Sequence, residues 1–137
     1  MSVNKKVFEK VIGDEKVESP GMKYKHYAPK TKCKLIYSKD EEKQINVLNT
    51  ILKESKNIVV ICFEEHKKKI LIDETRKISI GSKNNFGEVA QKMYSVLREA
   101  DLKNAELILI EGVEMKDIGI AIMNRLLRTC EYDFIEV

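Results

Sequence analysis

The chain has 137 residues and a mass of 15.8 kDa, the size of one ordinary domain. Hydrophobic residues make up 43% of it and charged residues 34%, a balance that excludes disorder for most of the chain. The net charge is only +3 and tryptophan is absent, so the composition indicates neither a basic nucleic-acid face nor a base-stacking platform.

Residues 1–32 differ in composition from the rest of the chain. They contain both prolines, Pro20 and Pro29, and one short apolar pattern at 7–12 that predicts one or two helical turns. The first proline is followed by glycine, a turn signal, and the second biases the residue before it towards extended backbone. The segment is therefore predicted to be a linker or arm.

A regular apolar pattern begins at residues 33–38, which are predicted to form a buried strand. Ser38 and Glu41 form a capping-box signature, which predicts that a helix begins there and continues over 41–54. The run at 58–63 is continuous and β-branched, which indicates a strand covered on both faces.

The middle of the chain is rich in lysine. Two runs, 68–74 and 76–81, have strand character, and their lysines predict edge strands or a short hairpin. Residues 86–100 have the strongest helical periodicity in the chain, with Asn85 at the N-cap position and Glu88 three residues further on.

The last third of the chain again alternates predicted strands with a predicted helix. A buried strand is predicted at 105–112, a helix at 118–130 with Asp117 as its cap, and a short strand at 132–137. Ile118, Ile122 and Leu126 are predicted to share one face of that helix. The pattern predicts an α/β fold, a small three-layer, mainly parallel Rossmann-like sheet with helices on both faces, preceded by an extended arm.

Recognisable chemistry is sparse in 33–137. The first strand-to-helix turn, SKDEEK, is acidic and has no glycine, so it matches no nucleotide-binding fingerprint. His66 is predicted to be an exposed surface histidine in a solvated turn. Cys33, Cys62 and Cys130 form no disulfide framework or zinc motif and are predicted to be buried small hydrophobes.

No catalytic residue, metal site or cofactor is predicted in this chain. It also lacks a signal-peptide pattern and an apolar stretch of about 20 residues that would cross a membrane. We therefore expect a cytoplasmic protein without a membrane or direct nucleic-acid partner.

The arm is the exception, because Tyr24, Lys25, His26 and Tyr27 lie between its two prolines. Phenol, imidazole and ammonium groups in one short segment could contact an anionic ligand. The alternative is a linker whose tyrosines pack on its own domain.

The arm sequence SPGMKYKHYAPKT (19–31) resembles the interdomain linker of two-domain threonylcarbamoyl-AMP synthases, in which a YrdC-type catalytic domain precedes a smaller Sua-five domain. GSKNNFGEVAQKMYSVLREAD (81–101), ELILIEG and GIAIMNRL (119–126) are similar to the end of that C-terminal domain. The resemblance implies that 1–32 is the linker and tail of a missing catalytic domain, and that 33–137 is a Rossmann-like accessory domain.

The resemblance also implies a reaction. The whole enzyme, a nucleotidyltransferase, joins L-threonine, bicarbonate and ATP into threonylcarbamoyl-AMP and pyrophosphate, for the threonylcarbamoyladenosine modification of tRNA. ATP, threonine and a divalent metal are handled by the catalytic domain, which would be this chain's partner in cis. The linker would cover the catalytic cavity, and the C-terminal domain would have a supportive or regulatory role. The chain alone is predicted to be inactive.

Two sets of residues follow from the resemblance. The residues of the substrate-covering linker would be Ser19, Pro20, Gly21, Met22, Tyr24, Lys25, His26 and Tyr27. The residues of a candidate domain-contact or effector surface are Gly119, Met123, Asn124 and Arg125. The alternative for the second set is a core helix with one charged end.

Two other functions remain open. The chain could be a stand-alone nucleotide- or effector-sensing Rossmann-like module, which would bind its ligand saturably within 33–137. It could also be a pure interaction module that uses its arm to contact another protein.

Overall fold

The computed structural model describes residues 29–54 and 57–137. In chain order the helices and strands are β1 (Lys32–Tyr37), α1 (Glu41–Glu54), β2 (Ile58–Cys62), β3 (Lys77–Ser79), α2 (Phe86–Asp101), β4 (Leu107–Glu111), α3 (Ile118–Thr129) and β5 (Phe134–Glu136). The predicted linker contacts at 19–27 and the predicted helical turns at 7–12 lie outside the described residues.

The five strands form one sheet in the order β3-β2-β4-β1-β5, and every pairing is parallel. α1 packs on one face, while α2 and α3 pack on the other. The predicted three-layer parallel α/β fold is confirmed. Within the described part of the chain, no helix has the length and apolar character needed to cross a bilayer.

The central strands explain why two faces are covered. Every residue of β2 is buried, and its side chains alternate between two hydrophobic clusters. Val59 and Ile61 face α2 and α3, whereas Val60 faces α1. In β4, Leu109 also faces α1, and Glu111 follows it by two residues on the same side. The sheet thus carries a carboxylate into the layer beneath α1.

The cap of α2 was predicted correctly. The Asn85 side chain accepts a hydrogen bond from the Glu88 amide at 3.1 Å. The capping box predicted for α1 is wrong, because Asp40 supplies the cap instead. Its Oδ1 accepts from the Glu42 amide at 3.0 Å, while Ser38 Oγ accepts from the Asp40 amide at 3.1 Å.

Two further expectations need correction. The run 68–74 forms no strand, because short 3₁₀ turns at Glu64–Lys69 and Glu74–Arg76 lead directly to the three-residue edge strand β3. Asp117 makes no side-chain cap bond, since its backbone has a positive φ of 54°. Ile118 is 46% exposed, so it does not share the buried face of Ile122.

The cysteine prediction is confirmed. Cys33, Cys62 and Cys130 are all buried and free. Desolvation raises the pKa of the Cys62 thiol to about 12, so it stays protonated at neutral pH and acts as a small hydrophobe.

Candidate functional site

A cleft of about 400 Å³ opens at the carboxyl ends of β1, β2 and β4. β1 and β4 are neighbours, but the helix that follows β1 packs on one face of the sheet and the helix that follows β4 packs on the other. The two connections diverge and leave a crevice between them. In open α/β sheets this switch point is the usual ligand-binding position.

The floor of the cleft rests on a buried carboxylate. The Glu111 side chain is 0% exposed and accepts three kinds of hydrogen bond: from Gln44 Nε2 at 2.8 Å, from the Phe63 amide at 2.8 Å, and from His66 Nδ1 at 2.7 Å. Gln44 is itself oriented by the Ser38 amide, which donates to its Oε1 at 2.8 Å. These donors offset the cost of burying the charge.

His66 is the least expected part of the site. It lies in the 3₁₀ turn after β2, is only 3% exposed, and packs edge-on against the Phe63 ring at a centroid distance of 5.7 Å. The prediction of an exposed histidine is wrong, because the turn folds back over the end of the sheet and carries the imidazole to Glu111. That hydrogen bond, opposed by desolvation, raises the pKa of His66 above its usual value.

The second imidazole nitrogen is directed away from the pair. His66 Nε2 is buried and has no hydrogen-bond partner among the described residues. The Oε1 atom of the Glu41 carboxylate lies 3.7 Å from it, too far for a hydrogen bond.

An ion pair stands at the mouth of the cleft. Glu41, the first residue of α1, accepts from Lys83 Nζ at 2.6 Å, and this contact lowers the pKa of the Glu41 carboxyl. Lys83 is held in place because Glu65 accepts from its amide at 3.0 Å and from Ser82 Oγ at 2.5 Å. Both partners are partly exposed, with Glu41 at 53% and Lys83 at 32%.

Gly112, which follows β4 and lines the cleft, packs closely against Tyr37 and Met123. A Cβ at this position would lie 3.0 Å from Tyr37 Cβ and 3.2 Å from Met123 Sδ. The Gly112 amide also donates to the Ile36 carbonyl at 2.8 Å, which continues the β1–β4 pairing into the cleft. A larger residue here would therefore crowd Tyr37 and Met123.

The four residues of the candidate contact surface are distributed between core and solvent. Gly119, Met123 and Asn124 are buried, and only Arg125 is exposed. Met123 Sδ accepts from the Val113 amide at 3.3 Å and so supports the wall of the cleft from below. A role for this set in domain contact or effector binding stays a prediction.

One residue that sequence reasoning missed, Asp101, contacts the chain just before β1. The Asp101 carboxylate accepts hydrogen bonds from the Lys30 amide at 3.1 Å, from the Thr31 amide at 3.0 Å and from Thr31 Oγ1 at 2.8 Å. The chain is thus anchored to the end of α2 just before β1 begins. A lone aspartate at a helix C-terminus, where the helix dipole disfavours it, is the signal that could have indicated such a role.

Across residues 29–54 and 57–137, no three histidine, cysteine or acidic side chains are grouped to hold a metal ion. The arrangement instead offers an imidazole, an ammonium group and an open cleft. Its chemistry is suited to binding a small polar molecule.

Together the fold and the cleft define a Rossmann-like α/β domain with a cleft at the switch point of the sheet. The sequence profile described as "Threonylcarbamoyl-AMP synthase, C-terminal domain" matches residues 3–130. The chain therefore belongs to the threonylcarbamoyl-AMP synthase family and corresponds to its C-terminal domain.

Individual relatives are considerably longer than this chain. The threonylcarbamoyl-AMP synthase of Pyrococcus abyssi is 29% identical over 94% of this chain and 40% of its own length, and that of Schizosaccharomyces pombe is 30% identical over 80% and 28%. The chain thus spans two-fifths or less of these relatives.

Two similar solved structures are also much longer than this chain. The crystal structure of P. abyssi Sua5 complexed with L-threonine is similar with a TM-score of 0.65 at 28% identity, covering 83% of this chain and 32% of that one. A variant of that protein, in which a histidine and the tyrosine after it are both changed to alanine, is similar with a TM-score of 0.63 at 26% identity, covering 80% and 30%.

Proposed function

We propose that this chain is the accessory C-terminal domain and active-site-covering linker of a two-domain threonylcarbamoyl-AMP synthase, and that it is inactive by itself. The parent reaction would join L-threonine, bicarbonate and ATP into threonylcarbamoyl-AMP and pyrophosphate, for tRNA threonylcarbamoyladenosine modification. A YrdC-type catalytic domain in cis would hold these substrates and the divalent metal. The observation that carries the proposal is the family match over 3–130 in relatives more than twice as long.

In this proposal residues 1–32 are the linker and residues 33–137 the accessory domain. The hydrogen bonds between Asp101 and the segment at Lys30 and Thr31 support it, because they fix the point at which the linker leaves the domain. The chain also contains a single histidine–tyrosine pair, His26–Tyr27, of the type that was replaced in the P. abyssi variant.

The first test compares this chain alone with the same chain joined to a YrdC-type catalytic domain. Threonine-dependent release of pyrophosphate from ATP is measured for both. We expect turnover only from the joined protein. Clear turnover by the 137-residue chain alone would contradict the proposal.

The linker role is tested in the joined protein with Tyr27→Ala and His26→Ala. Each is expected to lower pyrophosphate release by about 10-fold or more, because closure of a cavity over substrate supplies orientation and water exclusion. Tyr132→Ala is the matched control, since Tyr132 is 55% exposed in the loop before β5 and should leave the rate unchanged. Wild-type rates in both linker variants would remove the covering role.

A further inference from the structure

One buried nitrogen of a cleft-lining residue, Nε2 of His66, makes no hydrogen bond within the described residues. Three donors already surround the Glu111 carboxylate, and the bond to His66 Nδ1 locks the imidazole in one orientation. In that orientation Nε2 lies 3.7 Å from Oε1 of Glu41, a residue that lines the cleft together with His66, and it has no hydrogen-bond partner in the described part of the chain. A buried polar atom left unpaired costs free energy, so its persistence at a cavity wall indicates a place for a ligand atom.

The charge at this place indicates what kind of ligand atom it is. With Nδ1–H donated to Glu111, a charged imidazole presents an N–H donor at Nε2. Lys83 lies across the mouth of the cleft, and its ammonium group and the His66 imidazole both approach one carboxylate. Glu41 Oε2 contacts Lys83 Nζ at 2.6 Å, and its Oε1 lies 3.7 Å from His66 Nε2.

The Glu41 carboxylate therefore occupies a position that favours an anion. It hydrogen-bonds Lys83 there but lies too far from His66 Nε2 to hydrogen-bond it. It is 53% exposed, and an exposed ion pair of this kind adds little stability, so the side chain can be displaced. It also begins α1, so the amino end of a 14-residue helix favours negative charge at the same place. The other two charged residues of the cleft wall, Lys39 and Glu114, have opposite charges and together add no net charge.

We propose that the cleft binds a small oxyanion, a carboxylate or phosphate group of a metabolite, which replaces the Glu41 carboxylate between His66 Nε2 and Lys83. The volume of about 400 Å³ suits a molecule of metabolite size. This site goes beyond the proposed function, since it belongs to the accessory domain alone and involves no residue of the linker.

The test uses ¹⁵N NMR of the 137-residue chain titrated with two probes, inorganic phosphate and acetate. The site predicts saturable shifts of the His66 imidazole nitrogens and of the Lys83 amide for at least one probe. A response to phosphate alone or to acetate alone identifies which oxyanion the site accepts. Failure of the catalytic test on the joined protein would leave this result unaffected, because the titration needs no second domain.

Matched variants distinguish binding at this specific site from a general effect of surface charge. Glu41→Ala removes the competing carboxylate and should tighten probe binding about 10-fold, whereas Glu42→Ala in the same helical turn should leave it unchanged. Lys83→Ala should weaken binding by a similar factor. The proposal is overturned if neither probe shifts the His66 signals in the wild type or in Glu41→Ala, or if the two glutamate variants respond equally.

Discussion

At the scale of single residues, Glu111 and His66 form the centre of the molecule's polar chemistry. A carboxylate with no exposed surface is tolerable only when its hydrogen bonds are made, and here Gln44, Phe63 and His66 make them. The pair connects β4 to the turn after β2, two parts of the chain separated by 45 residues. The same contacts therefore stabilise the fold and orient the cleft.

The pKa of His66 provides a prediction about stability. Because Glu111 raises that pKa in the folded protein, the folded state holds the proton more tightly than the unfolded chain does. The contribution is complete below the unfolded value, about 6.5, and is lost as the pH rises through the higher folded pKa. Urea unfolding across this pH range should show the loss.

NMR titration measures the same quantity directly. The chain has two histidines, so His26→Gln leaves His66 as the only imidazole signal. Its midpoint should lie above the usual histidine range, and Glu111→Gln should move it downward because the carboxylate is removed. A wild-type midpoint at or below the usual range would show that burial outweighs the ion pair.

At the scale of helices and strands, Gly119 in α3 tests how tightly that helix is packed, and Gly87 in α2 is the matched control. A Cβ on Gly119 would lie 2.1 Å from the Glu114 carbonyl oxygen, which is backbone and cannot move aside. Gly119→Ala should therefore destabilise the protein by about 2–3 kcal/mol, as overpacking does elsewhere. Gly87→Ala in the first turn of α2 has only Asn85 Oδ1 near its Cβ, at 3.5 Å. It should be neutral or stabilising by up to about 1 kcal/mol, because alanine favours helix.

Urea denaturation of both variants checks this pair. Equal stability of Gly119→Ala and Gly87→Ala would mean that the loop before α3 yields to the new methyl group and that the close approach is not a constraint.

The sequence predicted most helices and strands, although not the 3₁₀ turns in 64–76, and it missed the site. The bounds of α1 and the cap of α2 depend on neighbouring residues, so local patterns were sufficient. The partner of Glu111 depends on tertiary folding, and local charge around His66 suggested only a solvated turn. A glutamate that ends a buried apolar strand was the one available sign, because such a carboxylate requires a donor.

At the scale of the whole molecule, the binding and anchoring features lie at opposite ends of the sheet. The cleft is at the carboxyl ends of the strands, whereas Asp101 holds Lys30 and Thr31 beside the amino end of β1. In the proposed two-domain enzyme, the anchor determines where the linker begins its path towards the catalytic cavity. The oxyanion site and the linker can thus be altered independently.

This separation leads to a prediction about Asp101 in the joined protein. Asp101→Ala removes the acceptor for the Lys30 and Thr31 donors and frees the last segment of the linker. Stability should fall by only about 1 kcal/mol, because a carboxylate at the C-terminal end of a helix is itself unfavourable. Threonine-dependent pyrophosphate release should fall more, by about 3–10-fold, since a freed linker covers the cavity for a smaller fraction of the time. Glu99→Ala, exposed in the same last turn of α2, is the control and should leave both measurements near wild type. A wild-type rate for Asp101→Ala at reduced stability would limit the anchor to a structural role.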